Sequence, residues 1–187
     1  MKLRLTYLYI LSIIFFLVSS CDVINGRKEY KTYIIPKGGH KSNSALSWFH
    51  GDELRFLAKF DHTARYSTVD PFNQEDVNKL YGFSDCGDGH HRNSARFAWR
   101  WFNDRIEIFA YCYKDKGRIS IYIGAVEPGE EQEYQIKINK DEYVFSLKGE
   151  TVSIPRDCSK GSKYYLFPFF GGDEIAPHDI TIQIREL

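Results

Sequence analysis

The chain has 187 residues and carries 25 Lys and Arg side chains against 25 Asp and Glu side chains, so its formal net charge at pH 7 is zero. Without an excess of basic residues the chain lacks the positive field that neutralises phosphates, which argues against nucleic acid as a partner. The length is sufficient for a single domain with a hydrophobic core.

A short apolar leader opens the chain. Lys2 and Arg4 precede an apolar run from Leu5 to Val18, and the small-residue sequence VSS leads directly into Cys21. A membrane-spanning helix needs about 20 apolar residues, so this run is too short to span a bilayer and has the size of a signal-peptide core.

The end of the leader resembles the lipobox of bacterial lipoproteins. That resemblance implies cleavage after residue 20 and acylation of Cys21, which anchors a protein to a membrane without a spanning segment. We therefore predict a signal peptide over 1–20, an acylated cysteine and polar tether over 21–29, and one domain over 30–187. The predicted location is the bacterial cell envelope, at the outer membrane or on the periplasmic side.

The first elements of the domain are a strand and a helix. In LRFLAKFD, Leu54, Phe56, Ala58 and Phe60 alternate with polar positions, which is typical of a strand with one buried face. In DPFNQEDVNKLYG, a capping residue at Asn73 and a stop at Gly82 predict one short helix.

The stretch ARFAWRWFNDRIEIFAYCY predicts a β-hairpin with Asn103-Asp104 as its turn. Counting outward from the turn, one face is apolar and is predicted to lie in the core; it comprises Ala95, Phe97, Trp99, Trp101, Ile106, Ile108, Ala110 and Cys112. The other face pairs Arg100 with Glu107 and Arg96 with Tyr111. A shift of one residue would bury both arginines, so we expect this second face to be displayed to solvent.

Later segments alternate in the same way and complete the fold prediction. YQIKIN, YVFSL and DITIQI each place apolar side chains at every second position, with short polar turns between strands. Because one short helix cannot cover a sheet, the core must form between two sheets. The predicted fold is an all-β, two-layer antiparallel sandwich.

The segment EYQIKINKDEYVFSLKGETVSI resembles the paired strands of concanavalin A-like jelly rolls, a superfamily that includes lectins, family-16 glycosidases and polysaccharide lyases. The resemblance implies a saccharide site on one sheet. It also implies a structural calcium near an acidic residue of the last strand, which here is Asp179. The alternative for Asp179 is a hydrogen-bond acceptor at a strand end.

The displayed hairpin face is the predicted carbohydrate-binding surface, because aromatic rings stack on sugars while Arg and Glu bind hydroxyls or carboxylates. Its candidate contact residues are Arg96, Arg100, Glu107, Phe109, Tyr111 and Tyr113. Two alternatives stay open: a solvated face with a cross-strand Arg100–Glu107 ion pair, and a surface that binds an envelope protein.

Catalytic motifs are sparse. Family-16 glycosidases carry Glu-x-Asp-x-x-Glu, but here Phe109 stands where the Asp follows Glu107, which argues against a two-carboxylate hydrolase. A lyase of acidic glycans needs a base and a group that neutralises the uronate carboxylate, and Tyr111, His90 and Arg96 are candidates for these roles. The motifs associated with jelly-roll alginate lyases are absent, so a non-catalytic role is favoured.

Two further features concern the loops and the cysteines. Asp173 and Glu174 in FFGGDEIAPHD are candidate calcium ligands together with Asp179, although a plain surface turn also explains the loop.

The cysteines after Cys21 are Cys86, Cys112 and Cys158, so export predicts one disulfide and one free thiol, with Cys112 expected to be buried.

Overall fold

The computed structural model describes residues 28–158 and 160–187. The predicted signal peptide, Cys21 and most of the tether lie outside this part of the chain. The described residues form twelve β-strands, which are β1 Lys31–Ile35, β2 Trp48–Phe49, β3 Glu53–Phe60, β4 Asn78–Ser84, β5 Ser94–Phe102, β6 Arg105–Lys114, β7 Gly117–Val126, β8 Glu131–Asn139, β9 Glu142–Leu147, β10 Glu150–Pro155, β11 Lys163–Leu166 and β12 Ile180–Glu186. Within these residues no helix has the length and apolar character needed to cross a bilayer.

The strands form two six-stranded antiparallel sheets. Sheet I has the order β1-β12-β3-β8-β9-β10, and sheet II has the order β2-β11-β4-β5-β6-β7. Short hairpin turns join β5 to β6 and β8 to β9, whereas β3 and β4 are consecutive in the chain but lie in different sheets. The predicted two-layer antiparallel sandwich is confirmed.

The core lies between the sheets and is rich in aromatic rings. Leu54, Phe56, Ala58 and Phe60 of β3 are buried, as their alternation predicts. Across the layers, Phe60 contacts Trp99 with ring centroids 5.0 Å apart, and Phe56 contacts Phe97 at 6.0 Å. Such pairs add stabilisation to the burial of the apolar area itself.

The hairpin prediction is confirmed in register and in turn. Phe102 pairs with Arg105, Trp99 with Ile108, and Ala95 with Cys112. Asn103 and Asp104 have φ values of 52° and 57°, the left-handed conformation that a two-residue hairpin turn of this type requires. The predicted core face is buried, except that Trp101 is half-buried and packs against the core from its edge.

The predicted helix from Asn73 to Gly82 is wrong. A 3₁₀ helix spans Pro71–Glu75, its N-cap is Asp70, and the chain enters β4 at Asn78. All seven residues of β4 are buried, so packing between β11 and β5 outweighs the local capping signal. Gly82 is a close-approach residue within the strand, because a Cβ there would overlap the backbone of Ala95.

The predictions for the cysteines are confirmed. Cys86 and Cys158 form a disulfide, and Cys112 is a buried free thiol. Burial raises the pKa of the Cys112 thiol well above its ordinary value, so it stays protonated. The disulfide links the loop after β4 in sheet II to the segment after β10 in sheet I.

A buried ion pair lies beside the disulfide. Arg156 Nε is 2.6 Å from Asp85 Oδ2, and the Tyr143 hydroxyl donates to the same oxygen at 2.8 Å. Burial alone raises the pKa of Asp85, but hydrogen bonds from Arg156, the Cys86 amide and Tyr143 outweigh it and hold that pKa below its usual value. Asp85 follows β4, whereas Tyr143 lies in β9, so the network joins the two sheets.

We expect Arg156→Met to lower the free energy of unfolding by about 3–5 kcal/mol, because it leaves the Asp85 carboxylate buried without a countercharge. Urea denaturation at pH 7 measures this loss. Arg55→Met is the matched control, since the Arg55–Glu133 pair lies on the surface and should contribute little. Equal effects of the two substitutions would contradict a structural role for the buried pair.

Candidate functional site

The outer face of sheet II carries the predicted contact residues. In the register of β5 and β6, Arg96 lies opposite Tyr111 and Arg100 lies opposite Glu107, so they share one face as expected. The neighbouring strands widen this face with side chains that the hairpin alone did not suggest. These are Lys79 of β4, which pairs with Ala98, and Arg118 and Tyr122 of β7, which pair with Tyr113 and Phe109.

The expectation that this face is displayed to solvent is wrong for four of its residues. The exposed fractions are 7% for Arg96, 4% for Glu107, 9% for Phe109 and 2% for Tyr111. Only Arg100 and Tyr113 of the predicted set are half-buried. The physical reason is that Ala98, Phe109 and Tyr111 form a small apolar cluster of their own, which Val77 and Tyr113 cover.

At one end of the face the charges neutralise one another. Arg100 Nε donates to Glu107 Oε2 at 2.9 Å, and Arg105 Nη2 donates to Glu107 Oε1 at 3.1 Å. Arg100 also lies over the ring of Phe109 at 5.2 Å. The cross-strand ion pair that sequence analysis kept as an alternative therefore forms. Both carboxylate oxygens of Glu107 are occupied by arginine, which leaves that group little capacity for a ligand.

The opposite end of the face holds a cationic cluster made of Lys79, Arg96 and Arg118. Lys79 Nζ lies 4.7 Å from the centre of the Tyr111 ring, and the Arg96 guanidinium lies 5.4 Å from the same ring. Within the described residues, none of the three cations forms an ion pair with a carboxylate. Arg96 Nε is also buried without a hydrogen-bond partner.

The pKa values of two groups in the cluster are lowered from their ordinary values. The pKa of Lys79 is lowered to about 7, chiefly by burial and in smaller part by the charges of Arg96 and Arg118, while Asp76 acts in the opposite direction. Burial also lowers the pKa of Arg96. Unpaired cations in a partly buried site attract anions more strongly than surface lysines do, because the local dielectric constant is lower than that of water. An incoming carboxylate would supply the countercharge that these cations lack.

His90 lies at the same end of the sheet, in the loop that follows β4. Its backbone N–H donates to the Tyr164 hydroxyl at 3.1 Å, and its Nδ1 is 3.1 Å from the same oxygen. The pKa of His90 is lowered to about 4, chiefly by burial and in smaller part by the charges of Arg96, His91 and Lys41, so the ring is neutral at pH 7. A neutral ring that accepts the hydroxyl proton at Nδ1 carries its own proton on Nε2.

The candidate lyase residues are arranged differently from the sequence-based hypothesis. Arg96 and His90 lie near each other, as the effect of Arg96 on the His90 pKa shows. Tyr111 is buried, and burial together with Tyr113 raises its pKa to about 12, which makes it a poor base. The tyrosine hydroxyl that contacts His90 belongs to Tyr164, a residue that sequence analysis did not select because its partner lies 74 positions away.

The three candidate calcium ligands are not brought together. Glu174 accepts hydrogen bonds from the backbone amides of Val69 and Asp70, each at 2.8 Å. Asp179 Oδ1 accepts one from the Lys37 amide at 2.7 Å, which is the strand-end role named as its alternative. Over residues 28–158 and 160–187, Asp173, Glu174 and Asp179 form no cluster of ligand atoms. The group that does cluster is Asp85 with Cys86 and Cys158, whose sulfurs are bonded to each other.

No protein-family model matches the chain, and no curated protein matches its sequence. Solved structures match its fold. Polysaccharide lyase family 18 aly-SJ02 is 6% identical over 87% of each chain, with a TM-score of 0.51. Alginate lyase A1-II′ of polysaccharide lyase family 7 is 10% identical over 83% of this chain and 76% of its own, with a TM-score of 0.53. SCLam, a non-specific endo-β-1,3(4)-glucanase of family GH16, is 9% identical over 75% of this chain and 58% of its own, with a TM-score of 0.52.

These neighbours are concanavalin-like sandwiches, so the predicted jelly-roll fold is confirmed. The low identities limit the likeness to the fold, and the roles of individual residues rest on the geometry described above. The chain is thus a β-sandwich protein whose sheet II carries a cluster of cations without a carboxylate ion pair within the described residues.

We expect Lys79→Met to raise the midpoint of thermal unfolding at pH 6 by on the order of 5 °C, and by less at pH 9. The unfolded lysine has a pKa near 10.4, whereas that of the folded group is about 7. Between these values the unfolded state binds more protons, so the stability of the native protein rises with pH. Below pH 7 the cost of burying the charged amine is fully present, and the substitution removes it.

Lys137→Met, at an exposed position of β8, controls for the loss of a lysine in general. A Lys79→Met effect that is the same at both pH values would show that burial of this amine is not linked to its titration. Differential scanning calorimetry in matched buffers supplies the midpoints.

Proposed function

We propose that the protein binds an acidic polysaccharide through the outer face of sheet II, as a lipid-anchored protein of the bacterial cell envelope. The observation that carries the proposal is the cationic cluster. Lys79 and Arg96 both lie close to the Tyr111 ring, and neither forms an ion pair with a carboxylate within the described residues. A ligand with regularly spaced carboxylates supplies the missing negative charge.

The face also has the composition that sugar binding requires. Tyr113, Tyr122 and Tyr164 are partly exposed on or beside it, and such rings stack on the apolar faces of pyranoses. The cations add charge-assisted hydrogen bonds, which are among the stronger polar contacts. A neutral glucan offers hydroxyls but no countercharge for the cluster, so an acidic glycan is the better complement.

The comparisons support the choice of ligand. Several structures of similar fold are named alginate lyases, and two structures of one of these enzymes hold an oligosaccharide product or substrate. Alginate is a polymer of uronates, so each of its units carries a carboxylate. For this chain, alginate oligosaccharides are therefore the first ligand to test.

The N-terminal sequence supports the proposed location. Cys21 follows a charged and then apolar leader and the small residues VSS, as in the lipobox of bacterial lipoproteins. Acylation there would tether the sandwich to a membrane through residues 21–29 and leave the domain free to bind a polymer outside the bilayer.

A lyase acting on acidic glycans is the second candidate, and the His90–Tyr164 contact favours it. In a β-elimination, a base removes the proton from C5 of the uronate. The electron pair forms the C4–C5 double bond, and the glycosidic oxygen leaves from C4 with a proton from an acid. A neutral imidazole and a tyrosine hydroxyl are suitable for these proton transfers, and Arg96 is suited to stabilise charge on the carboxylate.

We expect Arg96→Gln to weaken binding of an alginate hexasaccharide by roughly ten- to a hundredfold, which corresponds to the loss of charged hydrogen bonds of about 1.5–3 kcal/mol. Arg118→Gln, at an exposed position, should weaken it less and leave folding intact. Isothermal titration calorimetry with the purified protein measures both dissociation constants. Arg55→Gln, on the outer face of sheet I, is the matched control.

A neutral β-glucan oligosaccharide of the same length should bind at least tenfold more weakly than the alginate hexasaccharide. Equal binding of the two glycans, or no effect of Arg96→Gln, would contradict the proposal. If neither glycan binds, the surface is more consistent with the envelope-protein partner that the sequence left open.

A further prediction separates binding from catalysis. If the protein is a lyase, Tyr164→Phe abolishes the ultraviolet absorbance of unsaturated uronate during incubation with alginate, while the dissociation constant changes by no more than about twofold. Arg96→Gln would impair both quantities. Absence of any absorbance with the unmodified protein, under conditions where the hexasaccharide binds, would exclude the lyase and leave the binding role.

A further inference from the structure

Trp48 extends the outer face of sheet II to the free edge of the sheet. It lies in the edge strand β2, and 57% of its surface is exposed. In the register it is opposite Tyr164, which lies on the face away from the core, because the next residue, Tyr165, pairs with the buried Phe83. The two rings are 6.5 Å apart and nearly perpendicular. The Tyr164 ring also contacts the His90 ring, so Tyr164 connects Trp48 to His90.

An open cavity of about 470 Å³ lies beside Trp48. This volume is within the range of about 300–1,000 Å³ that is typical of small-molecule sites. Its wall combines one exposed aromatic ring with polar side chains and backbone; the lining residues are Trp48, Phe49, His50, Gly51, Gly161, Ser162 and Lys163. A single sugar ring is a suitable occupant in size and in chemistry.

The wall opposite Trp48 is held in place by the disulfide-bonded loop. The Gly87 amide donates to the Ser162 carbonyl at 3.1 Å. Gly161 packs so closely on Cys86 that a Cβ at position 161 would overlap the Cys86 backbone. Cys86 is bonded to Cys158, so the segment that carries Gly161 and Ser162 is fixed relative to sheet II. The cavity is therefore a preformed feature of the fold.

We propose that this cavity is a second saccharide subsite, which holds a ring of the same acidic polysaccharide by stacking on Trp48. The inference rests on the proposed function and predicts, in addition, how long a bound oligosaccharide must be. β2 and β5 are three strand spacings apart in sheet II, so Trp48 and Arg96 are separated by about 14 Å across the strands. One sugar ring cannot reach both positions, whereas a longer oligosaccharide can.

Charge at the subsite is compatible with a uronate. Lys163 Nζ is 3.1 Å from Asp52 Oδ1, and the Lys163 side chain is only 13% exposed while that of Asp52 is 78% exposed. The Lys163 amine is therefore held at the cavity by a carboxylate that can turn toward water. A uronate carboxylate in the cavity can approach this amine, which is separate from the cationic cluster because Lys163 pairs with the inward-facing Phe49.

The test compares ligand lengths on the purified protein. We expect Trp48→Ala to weaken binding of an alginate hexasaccharide by about tenfold, the loss typical of one aromatic stacking contact. Binding of an alginate disaccharide, which is too short to span the face, should change by less than about twofold. Trp48→Tyr retains a stacking ring and should restore most of the hexasaccharide affinity.

Phe72→Ala is the matched control, because Phe72 is 90% exposed but lies in the 3₁₀ helix. Unchanged hexasaccharide affinity in Trp48→Ala, or equal losses for both ligand lengths, would overturn the subsite. If hexasaccharide binding depends on Arg96 but not on Trp48, the proposed function survives and the subsite does not. If the unmodified protein binds no alginate oligosaccharide, both proposals fail.

Discussion

The buried contact between Asp85 and Arg156 is the interaction on which the candidate sites depend. A carboxylate with no exposed surface must be neutralised, and here an arginine from the other side of the sandwich neutralises it. Asp85 directly follows the end of β4 and is the first residue of the loop toward His90. Two loops are thus fixed by the ion pair, the adjacent disulfide and the tyrosine hydroxyl of β9. One loop carries His90, and the other forms part of the wall of the Trp48 cavity.

The outer face of sheet II is electrostatically asymmetric along its strands. At the end near the hairpin turn, the buried Glu107 carboxylate forms salt bridges with two arginines, so the charges at that end neutralise one another. At the other end, Lys79 and Arg96 contact the Tyr111 ring, Lys79 donates a hydrogen bond to the Val77 carbonyl, and neither cation forms an ion pair within the described residues. Cations held together without an acid reduce stability, and their retention in a folded domain is easiest to understand if a ligand supplies the acid. The proposal that this acid is a uronate takes its sugar chemistry from the names of solved structures of similar fold.

Sequence reasoning predicted those features that local patterns determine. The hairpin register was predictable because two turn residues and one apolar face agree on it, and the sandwich was predictable because alternation recurs along the chain. The helix prediction was wrong because the capping signal before β4 is local, whereas the burial of β4 depends on strands distant in sequence. Lys79 was missed for the same reason. The predicted contact residues do share one face of the hairpin, but their exposure depends on neighbours such as Val77 that a hairpin viewed alone does not reveal.

The protonation of Lys79 also makes the charge of the cluster depend on pH near neutrality. With a pKa of about 7, the amine is protonated in only part of the molecules near neutrality. An anion that settles between Lys79 and Arg96 favours the charged amine, so binding draws a proton from solution together with the anion. His90, another titratable group near the cluster, has its pKa lowered to about 4 and does not compete for that proton in this range. Under the proposed function, the hydrogen ion would be a second ligand of the same site, and mild acidity would tighten the binding of a uronate polymer.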